Sequence, residues 1–312
     1  MTTQPAAIAA DIGGTNLRVA LVGAGGELLH THRERLASSE LPAVAEHLRR
    51  ALLYLETPPE SLPIGVAIAA MLRRDGFVRV APNLGWQDVD LRGALERALG
   101  APVQVHNDLD AAVLAEARVG AGVDCDTVFL CSVGSGVGGG LYVGGRLHTG
   151  AGGVAGEIGH VKVIPGGRSC GCGEEGCLEA YAGGHALARR ARELLEAGAA
   201  PGLRARIGED DEVLDARRIV EAAAEGDADC QRLLDEAAGH LGLALANLAT
   251  VLAPGRLLLG GSVLRGAPAL RQQVSELVLA RVARSVGKTL EVHPARLGDD
   301  AGLIGAGLLA LE

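Results

Sequence analysis

His160, Cys170, Cys172 and Cys177 stand in the spacing His-x9-Cys-x-Cys-x4-Cys. No other stretch restricts the folding of this chain so tightly. Three thiolates and one imidazole complete the tetrahedral shell of a zinc ion, and a shell closed by four protein ligands is structural. Gly171, Gly173 and Gly176 free the intervening backbone to wrap around a centre. A disulfide between Cys170 and Cys172 would close a strained, very small ring. The spacing therefore predicts a zinc-bound segment, with little regular periodicity from Gly150 to Gly184. Cys125, Cys131 and Cys230 lie elsewhere and read as buried small residues.

Two carboxylates flank these ligands, Glu157 just before His160 and Glu179 just after Cys177. A metal centre would fix both in space, as acceptors for the hydroxyls of a polyol. The alternative is two ordinary surface glutamates. Asn83, in Pro82-Asn83-Leu84-Gly85-Trp86, is either a turn residue or an amide that reaches a sugar hydroxyl.

Around this segment strands and helices alternate. Strands are expected at Ala6–Ile12, Leu17–Val22, Glu27–Arg33, Ile64–Ala69, Val103–His106, Thr127–Val133, Gly139–Val143, Arg256–Leu259 and Leu290–His293. Helices are expected at Leu41–Leu55, Leu91–Leu99, Asp108–Val119, His185–Ala197, Val213–Glu225, Asp227–Leu252, Ala267–Val286 and Ala301–Leu311. The order β-β-β-α-β-α occurs twice in outline, which suggests two related α/β lobes around a cleft. Hydrophobic residues make up 48% of the 312, enough for such a core.

Aromatics are only 2% and the net charge is −9, with no long Lys/Arg run. Both argue against a nucleic-acid surface. The opening MTTQPAAIAADIGG has no basic and apolar leader pattern, and no apolar run is long enough to span a bilayer. The expectation is a cytosolic protein, in whose reducing surroundings thiols bind metal or stay buried.

Asp11-Ile12-Gly13-Gly14-Thr15-Asn16 links the first two strands. Its glycines let backbone N–H groups approach an anion, and Asp11 can hold a metal ion or its water. That suits a nucleotide phosphate with Mg2+, although a plain hairpin turn is as good a reading by pattern alone. Gly134-Ser135-Gly136 opens a second glycine cluster after the strand Thr127–Val133. Gly134, Gly136 and Gly139 satisfy GxGxxG, but a strand follows rather than a helix, so a Rossmann dinucleotide site is not expected. A Walker A loop is also excluded, because Val282 holds the place of its first glycine ahead of Gly287-Lys288-Thr289. His106-Asn107-Asp108 ends a strand and starts a helix. Locally this is a helix cap. In a phosphoryl-transfer site, the Asp108 carboxylate could take the proton of an acceptor hydroxyl.

DIGGTNLR, PNLGW, NDLDAA, GSGVGGG, GEIGH, CGCGEEGCLE, LLLGGS and LGDDAGLIGAG occur in this order. By these motifs the chain resembles the ROK family of sugar kinases over nearly its whole length. The resemblance implies an actin-like, ribonuclease H-like α/β fold with an inserted zinc segment at 157–179. Residues 1–115 with 300–312 would form the smaller lobe and 116–299 the larger. It implies ATP-dependent phosphorylation of the 6-hydroxyl of a hexose, glucose above all, in carbohydrate metabolism and glycolysis. Asp108 would be the general base. Asn83, Asn107, Asp108, Glu157, His160 and Glu179 would hold the sugar, His160 using its second ring nitrogen. Asp11, Gly13, Gly14, Thr15, Asn16, Gly134, Ser135 and Gly136 would line ATP and Mg2+, with Gly260 and Gly261 near the adenosine. A homodimer or larger homo-oligomer is also implied.

The chain departs from the family in two places. His106-Asn107-Asp108-Leu109-Asp110 replaces the usual Glu-Asn-Asp-Ala-Asn, and Ser135 replaces Thr. A second reading within the family is a kinase of N-acetylglucosamine or N-acetylmannosamine. A third is a sugar-sensing regulator, but the few residues ahead of Asp11 lead us to expect no DNA-binding helix-turn-helix there.

Overall fold

The alternation of the first strand sorts its side chains onto two faces. Ile8, Ala10 and Ile12 point to one core and Ala9 to another. The computed structural model describes residues 4–208 and 214–312. The chain opens as a meander of β1 (Pro5–Ile12), β2 (Asn16–Gly23) and β3 (Leu28–Arg35), then helix α1 (Leu41–Leu53). Next come β4 (Ile64–Ile68) and three short strands, β5 (Met71–Leu72), β6 (Val78–Ala81) and β7 (Trp86–Val89). Helix α2 (Leu91–Leu99), β8 (Val103–Asn107) and α3 (Asp108–Val119) follow. The pattern restarts with β9 (Thr127–Val133), β10 (Val137–Val143) and β11 (Arg146–Leu147). After the Cys/His segment come α4 (Glu179–Ala182), α5 (Gly184–Glu196), α6 (Pro201–Ile207), α7 (Ala216–Ala224) and α8 (Ala228–Leu252). The chain ends with β12 (Arg256–Gly260), α9 (Ser262–Gly266), α10 (Pro268–Arg281), β13 (Glu291–Pro294) and α11 (Ala301–Ala310).

The first large sheet has the order β3-β2-β1-β4-β8 and the second β11-β10-β9-β12-β13. With the strands of each sheet numbered in chain order, both read 3-2-1-4-5. The duplication expected from the sequence is therefore a duplication of topology. β1 and β4 are parallel, as are β4 and β8, and β12 and β13.

Two compact units result. One comprises Met1–Val128, Gly140–Gly156 and Arg296–Glu312, the other Phe129–Gly139 and Glu157–Ala295. The expected boundary near residue 115 falls inside α3, and the first unit continues through it. In the first unit, α1 and α2 cover one face of the sheet and α3 and α11 the other. The α11 face is built from small residues because the backbones nearly touch. A Cβ on Gly65 would lie 1.9 Å from the Ala306 carbonyl oxygen, and one on Gly305 would lie 1.8 Å from that of Ala111. In the second unit, α8 packs against α7 and α10.

Three expectations change. The helix expected at Ala267–Val286 is shorter at both ends. Ala267 leaves the helical region (φ −126°, ψ 74°), Pro268 starts α10, and extended Val282 stops it. The helix expected from Val213 starts at Ala216, capped by Asp215, and Val213 itself lies outside the described residues. The small antiparallel sheet of β5, β6 and β7 is additional. Among the described residues, no helix is long and apolar enough to cross a membrane.

Candidate active site

In the first unit the β1–β2 turn is closed by Gly13 N–H donating to the Asn16 carbonyl at 2.9 Å. Thr15 is exposed, its hydroxyl oxygen accepting from Asn16 Nδ2 at 2.9 Å. Gly14 abuts Asn83, since a Cβ there would lie 2.9 Å from the Asn83 carbonyl oxygen. The turn and the exposed amide of Asn83 are thus built as one surface.

Asp11 ends β1 opposite Arg18 on β2. Burial raises its carboxyl above the ordinary range; Arg18 works against that shift and Asp299 adds to it. Arg18 donates to the Asp299 carbonyl at 2.6 Å and pairs with the Asp300 carboxylate. Mg2+ takes hard oxygen donors, and Asp11 is the carboxylate that this turn supplies.

Asn107 caps α3. Its Oδ1 accepts from Leu109 N at 2.8 Å and Asp110 N at 3.1 Å, and its Nδ2 donates to the Ala70 carbonyl at 3.1 Å. Asp108 is the first residue of that helix and is half-buried. Before it, burial lowers the His106 pKa to about 4, so the imidazole is neutral at pH 7.

In the second unit the β9–β10 turn is closed by Gly134 N–H donating to the Gly136 carbonyl at 2.9 Å. Ser135 and Gly134 line a cavity of about 510 Å³. Gly184, His185 and Ala188 of α5, Leu214 to Arg217, Val220 and Glu221 around α7, and Ser262, Val263 and Gly266 of α9 also line it. Its walls are mainly apolar, and its volume suits a nucleoside. Gly260 and Gly261 do not line it. Gly261 instead makes the tight entry to α9, with φ +87° and a Cβ position 2.3 to 2.5 Å from the Val133 backbone.

His160 Nδ1 and the sulfurs of Cys170, Cys172 and Cys177 lie within 4.8 Å of one another. Cys170 Sγ is 3.8 Å from His160 Nδ1, and Cys172 Sγ is 3.8 Å from Cys177 Sγ. A tetrahedron with zinc–sulfur bonds of about 2.3 Å has edges of about 3.8 Å, so the donors fit zinc in number, kind and spacing. Lys162 Nζ donates to Cys177 Sγ at 3.0 Å and offsets the surplus negative charge of three thiolates. The other ring nitrogen of His160, Nε2, is 3.7 Å from Glu157 Oε2. Burial raises the Glu157 carboxyl, His160 lowers it and Glu179 raises it. Glu179 Oε2 accepts from Val137 N at 2.9 Å, and its Oε1 is 3.7 Å from Cys170 Sγ.

Within the first unit the structure brings Asp11, Gly13, Gly14 and Asn83 together. Within the second it groups Gly134, Gly136, Glu157, His160, Glu179 and the three cysteines. Sequence reasoning passed over Arg18, Asp300, Lys162 and the cavity residues His185, Asp215 and Ser262. Only Arg18 left a signal, because a tight hairpin after Asp11 pairs the two positions. The cavity is assembled from separate helices and left none.

A twice-repeated sheet of one strand order, each copy with a glycine turn between its first two strands, defines a duplicated α/β fold. The ROK family model matches residues 7–312, and the chain belongs to the ROK family. It is 34% identical over 316 residues to a glucokinase of Halalkalibacterium halodurans, covering 98% of this chain and 94% of that one. It is 36% identical over 307 residues to an N-acetylmannosamine kinase of Escherichia coli, covering 97% of each. A ROK family glucokinase from Streptomyces griseus, solved with glucose and AMPPNP, has a TM-score of 0.84 at 31% identity, over 98% of this chain and 99% of that one. The chain is thus a ROK sugar kinase, an ATP-dependent phosphotransferase of the hexokinase type.

Proposed function

We propose that this enzyme transfers the γ-phosphoryl group of ATP to the 6-hydroxyl of glucose, with Asp108 as general base. The observation that carries this reading is the placement of Asp108. It stands at the head of α3, half-buried, on a backbone that the Asn107 cap locks in place. A carboxylate so held can take the hydroxyl proton as the oxygen attacks phosphorus. Glucose is favoured by the glucokinase relatives and by the glucose held in the Streptomyces griseus structure.

Asn83, Asn107, Glu157, His160 and Glu179 would orient the sugar hydroxyls. Metal ligation at His160 Nδ1 makes Nε2 an N–H donor, and Glu157 beside it is an acceptor. Asp11 would hold Mg2+, which when bound offsets phosphate charge. Gly13, Gly14, Thr15, Asn16, Gly134, Ser135 and Gly136 would meet the phosphates, and the cavity beside α5, α7 and α9 would take the adenosine. Zinc held by His160, Cys170, Cys172 and Cys177 would be structural.

The Escherichia coli relative favours a second acceptor, N-acetylmannosamine. Both readings are tested by ADP release from ATP and Mg2+ with glucose, mannose, N-acetylglucosamine and N-acetylmannosamine. Glucose turnover well above the rest is expected. N-acetylmannosamine as the best substrate would replace glucose, and no turnover by folded, zinc-loaded protein would overturn the kinase reading.

A further inference from the structure

The Cys/His segment does more than frame a sugar pocket: both of its arms grip the glycine turn between β9 and β10. On the Cys177 arm, Glu179 lies two residues beyond the last thiol, and its Oε2 accepts the Val137 N–H at 2.9 Å. Gly184 N–H then donates to the Gly134 carbonyl, and His185 N–H to the Ser135 carbonyl, each at 2.9 Å. On the His160 arm, Gly159 lies so close that a Cβ would be 2.0 Å from the Val137 carbonyl oxygen. At Gly136 a Cβ would lie 2.3 Å from Glu179 Oε2, so a side chain there would displace the carboxylate. Every residue from Gly134 to Val137 therefore touches the Cys/His segment or the helices that continue from it. A backbone turn that must aim N–H groups at phosphate needs such support, because a loose turn loses affinity in ordering.

We propose that Glu179 is a positioning residue for nucleotide binding, tying the Cys3His centre to the phosphate turn. The occupancy of that centre then sets ATP affinity even without sugar. This rests on the reading of Gly134–Gly136 as a phosphate turn. The charge-assisted bond to Val137 fixes the exit of the turn, and the chain holds Glu179 two residues beyond Cys177, a member of the Cys3His cluster. Gly159 is required by the Val137 carbonyl, and Gly136 leaves room for the Glu179 carboxylate.

The experiment measures AMPPNP affinity by calorimetry, without sugar, for wild type, Glu179→Ala and Glu179→Gln. Zinc content is measured alongside, with hydrogen exchange over 134–139. Glu179→Ala should keep its zinc, speed exchange at the Val137 amide and weaken AMPPNP by about tenfold. Glu179→Gln keeps a carbonyl that can accept the Val137 N–H, so it should restore most of the nucleotide affinity. It should bind glucose poorly, since the carboxylate is gone. Stripping zinc from wild type with a chelator should also weaken AMPPNP. Unchanged AMPPNP affinity in both Glu179→Ala and zinc-stripped protein, with glucose binding lost, would overturn the inference and leave the kinase reading standing. Wild-type, zinc-loaded protein that fails to bind AMPPNP would overturn both.

Discussion

At the scale of single residues, the proposed chemistry centres where β8 meets α3. Asp108→Asn removes the proton acceptor and leaves the helix cap on Asn107 intact. It should lower kcat by about 10²-fold or more, with melting temperature and zinc content close to wild type. Near-normal turnover in a steady-state assay would remove Asp108 from the role proposed here. Two residues earlier, His106 gives a different prediction. The unfolded chain protonates His106 near 6.5 and the folded one only near 4, because burial opposes the charge. Between those values the unfolded state holds more protons, so stability falls as the pH drops through this window and is fully present above it. Allowing for partial exposure of the ring, the loss is about 2 kcal/mol. Urea midpoints at pH 7.5 and pH 5 should differ for that reason, and His106→Gln should narrow the difference.

At the scale of elements, tight backbone contacts matter more than side-chain bulk. Gly261 sits at φ +87° with the Val133 backbone where a Cβ would be. Gly261→Ala should therefore cost about 2 kcal/mol or more and disturb the approach to α9, which lines the candidate nucleoside cavity. Denaturant titration reads the first effect, and AMPPNP affinity the second. The elements also show what the sequence makes visible. β1, β2, β4, β8 and β9 are apolar runs bounded by turns, and α2 and α3 carry clean caps at Asp90 and Asn107. The sequence alone suffices to place these. β5, β6 and β7 are too short for a period of two to emerge. Helix α9 is hidden because its five residues are too few for a helical period to emerge. The Cys3His cluster was legible through its spacing alone. The double role of Glu179 was not, since the Val137 amide that it accepts from lies far away in sequence.

At the scale of the whole molecule, two sheets of one strand order are each built around a glycine turn. Candidate ligand groups are found in both units, so ligands should be needed for full stability. A ligand that binds only the folded protein stabilises it by RT ln(1 + [L]/Kd), about 2.7 kcal/mol at a hundredfold excess over Kd. In a chain of this size that corresponds to a rise of about 5 °C in melting temperature. AMPPNP with Mg2+ and glucose should each produce such a shift. N-acetylmannosamine at the same concentration should produce less if glucose is the physiological acceptor. The comparison is sensitive to the sugar 2-position, where the two acceptors differ by an N-acetyl group, and it does not depend on turnover. A larger shift with N-acetylmannosamine than with glucose would assign the chain to the second acceptor. Such a result would leave Asp108, the glycine turns and the Cys3His centre in their roles, because none of them depends on what the 2-position carries.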